Sequence, residues 1–313
     1  NENLAWAGFK DLKNKLTFQI KKSMKISSSN IILNWGEYGS GKTHAANYFI
    51  KESILDEIAK DVGQNRPFAL KLSLPKSKYP VYDFFVDIFD NIDFLELREW
   101  VEGHDIHMDD YINQLSTNSH IKNVIKAIFN EGVQEELIKA YLYGTMSNAD
   151  IRKQLKDQGI LRALKDDDYV KIIGITFSCL TYNRSLFSSI ILWIDEFEDI
   201  NYLNNTGVFA VNNFLRELID NTPNNFLLFL NFTLTPMSGY EDIGSYLTPP
   251  MKSRIKTRIE FKIPDASELK VYLKELLAIF REEEISDPYF PFTEDAVDEV
   301  INIVGNNSLR KYN

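Results

Sequence analysis

Apolar residues at Phe9, Leu12, Leu16, Ile20 and Met24 recur at helical spacing, which predicts an amphipathic helix over 9–25. Ser27–Asn30 interrupt it. Ile31–Trp35 is a short apolar run that leads straight into a glycine-rich loop, the pattern of a buried parallel strand. From Thr43 to about Lys60 the pattern is helical again, and Phe68–Leu74, closed by Pro75, reads as a second strand. Strand, loop, helix and strand in this order predict an α/β sheet.

Residues 76–187 differ in kind. Val81, Phe84, Phe85, Ile88, Phe89, Ile92 and Leu95 form one helical stripe, with Asp83, Asp87 and Asp90 on the opposite side. A second stripe runs through Ile121, Val124, Ile125 and Ile128. Ser147 followed by Asp150 reads as a capping box that opens a third helix. Tyr169, Ile173, Phe177 and Leu180 mark another. The sheet resumes at Ile190–Ile194, and a helix with Val208, Val211, Phe214, Leu215 and Leu218 inward stops at Asn221–Pro223. Phe226–Phe232 is a further strand. From Asp265 onward the text is helical, over Leu269–Phe280, then Thr293–Val304, with one more helix starting at Ser308.

The 313 residues, 44% hydrophobic and 26% charged, are enough for one large or two modest domains with proper cores. The longest apolar runs are strand-sized, far below the ~18 residues of a membrane span, so no membrane partner is expected. No signal peptide is visible, and a cytoplasmic address is the default. The chain starts at Asn1 and stops as a third lid helix begins, so the natural protein is expected to be longer. The single cysteine, Cys179, excludes an intrachain disulfide and reads as a core thiol.

A net charge of −10 argues against a generally basic nucleic-acid surface. The charge is uneven, however. Lys10, Lys13, Lys15, Lys21, Lys22 and Lys25 cluster near the start, while Asp83 to Asp110 is acidic with Arg98 its only base.

Gly36-Glu-Tyr-Gly39-Ser40-Gly41-Lys42-Thr43 fits the P-loop pattern G-x-x-x-x-G-K-[ST]. The glycines let successive backbone N–H groups point at phosphates, and the helix that follows adds its positive end. Lys42 brings an ammonium to the β- and γ-phosphate oxygens. The Thr43 hydroxyl is a hard ligand suited to Mg²⁺. ATP and Mg²⁺ are therefore the expected ligands. His44 follows directly and is expected to pack at the start of the helix.

Ile190–Ile194 ends in Asp195 and Glu196, a buried strand tipped by two carboxylates, as in a Walker B element. Asp195 would hold Mg²⁺, and Glu196 would orient and deprotonate the attacking water. A solvated acidic loop is the alternative, since Glu198 and Asp199 follow.

Three further features resemble AAA+ ATPases of the origin-recognition (initiator) branch. Phe226–Leu230 runs into the polar Asn231, similar to a sensor 1 residue, with Thr233 or Thr235 as substitutes if the strand ends later. Ser253–Arg254 precedes a strand and a lid helix, which resembles the arginine-finger region that completes a neighbouring subunit's site. Gly305-Asn-Asn-Ser-Leu-Arg310 resembles sensor 2, which places Arg310 on the phosphates. Arg258 competes with Arg254 for the finger. Lys252, Arg254, Lys256 and Arg258 alternate, and on a strand would share one face that could equally touch nucleic acid. The long helical insertion and the Gly-Glu-Tyr-Gly-Ser-Gly-Lys-Thr-His loop also resemble ATPase subunits of BREX-type phage-defence systems.

Other features carry less. Glu102, His104, His107, Asp109 and Asp110 concentrate metal-ligand types around Gly103, but a solvated acidic loop accounts for them. Trp6 and Phe9 border the adenine or simply pack.

The expected fold class is α/β: a P-loop NTPase (AAA+) parallel-sheet core, a large helical insertion and a truncated helical lid. The core is assigned to 1–75 and 188–264, the insertion to 76–187 and the incomplete lid to 265–313. The resemblance implies an ATPase that assembles with copies of itself through composite ATP sites and acts on DNA or a DNA-processing protein. A nucleotide-gated scaffold with negligible turnover is the alternative.

Overall fold

The computed structural model describes residues 4–103, 108–234, 243–283 and 285–304. Five strands, β1 (Ser29–Glu37), β2 (Phe68–Ser73), β3 (Ile190–Asp195), β4 (Phe226–Leu234) and β5 (Ile255–Phe261), form one sheet in the order β2-β3-β4-β1-β5. Every pairing is parallel. A parallel sheet needs cover on both faces, which is why β3 and β4 read as nearly unbroken apolar runs.

Alternate side chains supply the two faces. Ile31, Leu33, Leu70, Leu72, Leu192, Leu228 and Leu230 belong to the larger core. Ile32, Ile191, Trp193, Leu227, Phe229, Ile259 and Phe261 belong to the other, covered by helices α1 (Lys10–Lys25), α2 (Lys42–Phe49) and α3 (Glu52–Val62). Trp193 and Phe229 stack there with ring centroids 3.8 Å apart.

The helix expected over 43–60 is two. α2 ends at Phe49, Ile50 caps it, and Lys51 takes extended geometry (φ −65°, ψ 128°) before α3 starts. The corner is fixed from outside, because the Lys51 ammonium donates to the Leu4 carbonyl of the N-terminal segment at 2.9 Å.

The larger core includes the whole insertion: α4 (Pro80–Asp90), α5 (Phe94–Gly103), α6 (Met108–Leu115), α7 (Ser119–Phe129), α8 (Glu135–Leu142), α9 (Asn148–Gln154) and α10 (Asp166–Leu180). Together with α11 (Asn205–Asn221) these helices bury one face of the sheet. Phe84 of α4 stacks on Phe214 of α11, and Phe177 of α10 packs on Phe226 of β4. Cys179 is fully buried in α10, and burial pushes its thiol up, as a core thiol requires.

The single stripe expected from Val81 to Leu95 is broken. Asp93 accepts from the backbone N–H groups of Leu95 and Glu96, which starts α5 and leaves Leu95 57% exposed. Ser147 caps α9 as the sequence indicates, accepting from Asp150 N–H at 3.2 Å. Arg98, the one base of the acidic stretch, is buried. It donates to the carbonyls of Ala127 (3.3 Å), Ile128 (2.9 Å) and Val133 (2.8 Å), satisfying the C-terminal end of α7.

Two helices, α12 (Ala266–Phe280) and α13 (Glu294–Val304), follow β5 and share a small core of Leu269, Leu273, Tyr289, Val297 and Ile301. Asp265 and Glu268 form a reciprocal capping box at the start of α12. The N-terminal segment clasps this helix. Gly8 N–H donates to Glu275 at 2.7 Å, Lys10 pairs with the same carboxylate at 3.3 Å, and Phe9 packs on Tyr272. Among the described residues no helix is long and apolar enough to cross a membrane.

Candidate functional site

A cleft of about 350 Å³ opens at the C-terminal edge of the sheet, where β1 delivers the glycine-rich loop into α2. Ligands of open α/β sheets bind at this edge. Gly39 and Gly41 hold φ of 78° and 93°, a region that side chains disfavour. Gly36 answers a different need. A Cβ there would lie 2.3 Å from the Phe261 carbonyl oxygen of β5, so the loop can cross the strand end only without one.

Lys42 is 6% exposed, and its ammonium curls over the loop. Nζ donates to the carbonyls of Gly36 (2.9 Å) and Glu37 (2.8 Å) and to the Ser40 hydroxyl (3.1 Å). Burial lowers its pKa from 10.5 to about 8, against the opposing pull of Glu198, Asp195 and Glu37. Two consequences follow by linkage. Between about pH 8 and 10.5 the unfolded chain keeps a proton that folded Lys42 has released, so this group adds stability as pH rises through that window. Triphosphate binding, which favours the charged amine, is expected to weaken above about pH 8, approaching tenfold per pH unit. Calorimetric titration of ATP from about pH 7 to about pH 9 checks this; a flat profile would remove Lys42 from the phosphate contact.

Beside the loop, a polar row crosses four strands on the α2 face. Asn34 of β1 donates to Asn231 of β4 at 2.9 Å. Asn231 donates from its own amide to Asp195 of β3 at 3.0 Å and to the Lys42 carbonyl at 3.2 Å. Lys71 of β2 ends the row 3.7 Å from the second Asp195 oxygen. Asn34 and Asn231 are direct register partners, so the row follows from strand pairing. Asn231 therefore lies inside β4, which continues to Leu234, and not at the strand end expected at 230–232. The continuation brings Thr233 to the cleft wall.

Glu196 follows Asp195 with φ 54° and ψ 41°, left-handed geometry in which a glutamate is strained, and is exposed at the cleft. Glu198 also faces the cleft and accepts from Thr233 N–H at 2.8 Å, tying the β3 loop to the end of β4. It is thus no solvated loop residue. Asp199, one residue on, is buried and pairs with Lys76 at 2.7 Å.

The cleft also has an apolar lining, from Leu4, Trp6, Phe9, Leu12 and Tyr272. Trp6 packs edge-on against Tyr48 and against His44, their centroids 5.3 and 5.9 Å away. Trp6 and Phe9 both pack against neighbouring rings and both line the cleft. Thr43 and His44 line it as well.

The remaining predicted residues lie elsewhere. Arg254 sits at the start of β5, whose end, Phe261, pairs with Gly36. Six strand residues, about 20 Å, separate it from its own cleft. Its guanidinium forks onto Asp220 of α11 at 2.8 and 2.9 Å. The four-residue basic stripe does not form on a strand, because β5 begins only at Ile255; Lys256, Arg258 and Glu260 share its exposed face. In the N-terminal lysine cluster, Lys10 and Lys21 are engaged by Glu275 and Asp61. Arg310, Thr235, His104 and His107 lie outside the described residues.

Sequence reasoning passed over Asn34 and Lys71, and named Glu198 only as part of an alternative solvated acidic loop. The first two carried a signal: each is a polar residue set in an otherwise buried strand, where it needs a partner.

Among the described residues no three His, Cys, Asp or Glu side chains gather as a metal cage. The donors present, the Thr43 hydroxyl and the Asp195 carboxylate, are hard oxygens. They fit Mg²⁺, which takes few protein ligands and shares the rest with phosphates and water.

No protein-family model matches the chain, and no curated protein matches it in sequence. Among solved structures it is similar to the Aeropyrum pernix ORC2 protein in ADPNP–ADP complexes, at 12% identity and TM-score 0.47, covering 92% of this chain and 57% of that one. Drosophila ORC bound to DNA is similar at 13% identity and TM-score 0.45, covering 97% and 52%. The Aeropyrum pernix ORC1 protein in complex with DNA is similar at 11% identity and TM-score 0.42, covering 88% and 50%. The chain spans about half the length of these proteins. At such distances these likenesses bear no weight, and the functional reading rests on the cleft itself.

Proposed function

We propose that this chain binds and hydrolyses ATP as an AAA+ protein of the initiator-like type, forming composite sites between copies of itself. The observation that carries the reading is the meeting of Lys42, Thr43, Asp195 and Glu196 at one cleft that also has an aromatic lining, with Asn231 bonded to Asp195 behind it. That geometry suits a triphosphate at the loop and a base against Trp6, Phe9 and Tyr272.

Each residue has a role in this reading. Backbone N–H groups of the loop from Gly36 through Gly39, Ser40 and Gly41 cradle the phosphates. Lys42 exchanges its loop carbonyls for β- and γ-phosphate oxygens. Thr43 and Asp195 would hold Mg²⁺, which would neutralise charge on the phosphate oxygens. Asn231 aims Asp195 and faces the terminal phosphate as sensor 1. Glu196 accepts the proton of the water that attacks the γ-phosphorus, with ADP as the leaving group. Arg310 in the lid would add a second cation, by the resemblance alone.

Arg254 is too far from its own cleft to serve it, so its role falls on the site of an adjacent copy, with Asp220 holding the guanidinium in a fixed fork. DNA or a DNA-processing protein is the client class, and phage defence the setting. Both rest on the resemblance of the motifs and of the insertion. The test is steady-state ATP turnover across protein concentration, for wild type, Arg254→Ala and their mixtures. Specific activity is expected to rise with concentration and to fall at least about 100-fold in the variant. Mixtures should follow shared-site statistics. Activity independent of both concentration and Arg254 would rule out the composite site.

A further inference from the structure

Lys71 is an unusual occupant of its position. It stands in the middle of β2, between the core residues Leu70 and Leu72, and projects to the α2 face, where its strand neighbours across the sheet are Trp193 and Phe229. Its side chain is 23% exposed and its ammonium lies 3.7 Å from Asp195 Oδ2, a carboxylate 5% exposed. The other oxygen, Oδ1, is held by Asn231 at 3.0 Å. One oxygen of the carboxylate is therefore bound by a directional neutral donor, and the other is balanced by a charge just beyond hydrogen-bonding distance.

That division has a chemical meaning. A buried carboxylate must be paired or pay a large desolvation cost. The Asn231 bond sets the angle of the group, while the Lys71 contact neutralises it without claiming the lone pairs. A partner of this kind can be replaced by a second cation at little geometric cost. Lys42, another ammonium near Asp195, donates instead to Gly36, Glu37 and Ser40 of the loop.

We propose that Lys71 is a positioning residue that stands in for magnesium at Asp195. It balances the charge of the carboxylate and leaves it aimed at the cleft, and it competes with the incoming Mg²⁺, so that it sets the magnesium concentration at which the site loads. This rests on the reading of Asp195 as the Mg²⁺ residue. Lys71 does not itself line the cleft, and its ammonium pairs with Asp195, so its influence runs through that carboxylate.

The experiment is a Mg²⁺ titration of wild type, Lys71→Met, Lys71→Gln and Lys71→Arg, each saturated with a fluorescent ATP analogue, the analogue's emission reporting metal loading without turnover. Removing a unit charge about 4 Å from the carboxylate is expected to lower the Mg²⁺ midpoint of Lys71→Met and Lys71→Gln by about fivefold or more. Lys71→Arg, which keeps the charge, should stay within about twofold of wild type. A midpoint that is unchanged or higher in both neutral variants overturns the proposal. Two neutral variants guard against misfolding of one, with circular dichroism and thermal melting as controls. If wild type itself binds the analogue with no response to Mg²⁺, the assignment of Asp195 falls, and with it this inference. If wild type responds and only the variants fail to differ, Lys71 alone is wrong.

Discussion

Lys42→Met is expected to weaken ATP binding at least about 100-fold while leaving the free protein folded. A charge-assisted bond to phosphate contributes about 1.5–3 kcal/mol, and one ammonium bridging two phosphates makes more than one. The free protein responds differently because its two terms oppose. The variant loses three hydrogen bonds to Gly36, Glu37 and Ser40, but it also removes an ammonium whose burial pulls its pKa to about 8. Methionine fills the stem's volume, so the melting temperature should stay within about 3 °C of wild type. Calorimetric titration with ATP and Mg²⁺, paired with thermal melting, separates the two. An affinity within about threefold of wild type would remove Lys42 from the phosphates.

The second large effect concerns Glu196. Glu196→Gln is expected to lower kcat by about 10²–10⁴ while ATP affinity changes less than about threefold, because only proton acceptance is lost. The backbone gives an independent arm. Glu196 sits at φ 54°, which costs an L-residue about 1–2 kcal/mol. Glu196→Gly should therefore abolish turnover yet raise stability by about 1 kcal/mol, seen as a higher denaturant midpoint. Strain retained at a residue whose removal also removes activity is the expected mark of a working position. Turnover that survives Glu196→Gln would instead point to a base supplied by Glu198, whose carboxylate also faces the cleft, whereas negligible turnover in wild type itself would favour the nucleotide-gated scaffold.

Much of this arrangement is legible in the sequence where one local rule governs. The glycine-rich loop and the carboxylates after Ile194 are written in contiguous residues, and the apolar runs of β3 and β4 announce a sheet covered on both sides. Helices α7, α9 and α10 follow their stripes and caps. What the pattern misses depends on contacts between distant segments. The break between α2 and α3 is set by Leu4 reaching Lys51, and no spacing rule sees a residue 47 positions away. The end of α4 is set by Asp93 capping the next helix, in a stretch whose apolar period runs on regardless. The row from Asn34 to Lys71 needs the register of four strands, which becomes available only once the strand order is known. Arg254 shows the same limit from the other side: its place before β5 is plain in the chain, its bond to Asp220 is not.

The strand order also bears on how the protein is made. Among the described residues β2 pairs with β3 and with no other strand, and β3 is separated from it by residues 74–189. β1 waits longer still, since its partners β4 and β5 begin at Phe226 and Ile255. During synthesis the first two strands therefore emerge with their backbone edges unmatched, the condition that invites aggregation. The helices between them pack on one another, α10 against α4 and α7 as well as α6 against α7, so they can form a block before the sheet is complete. Once folded, they bring the ends of β2 and β3 together and shorten the chain that pairing must close. A defect in that helical block would then be felt as a lower yield of folded protein, with the chemistry of each surviving molecule intact.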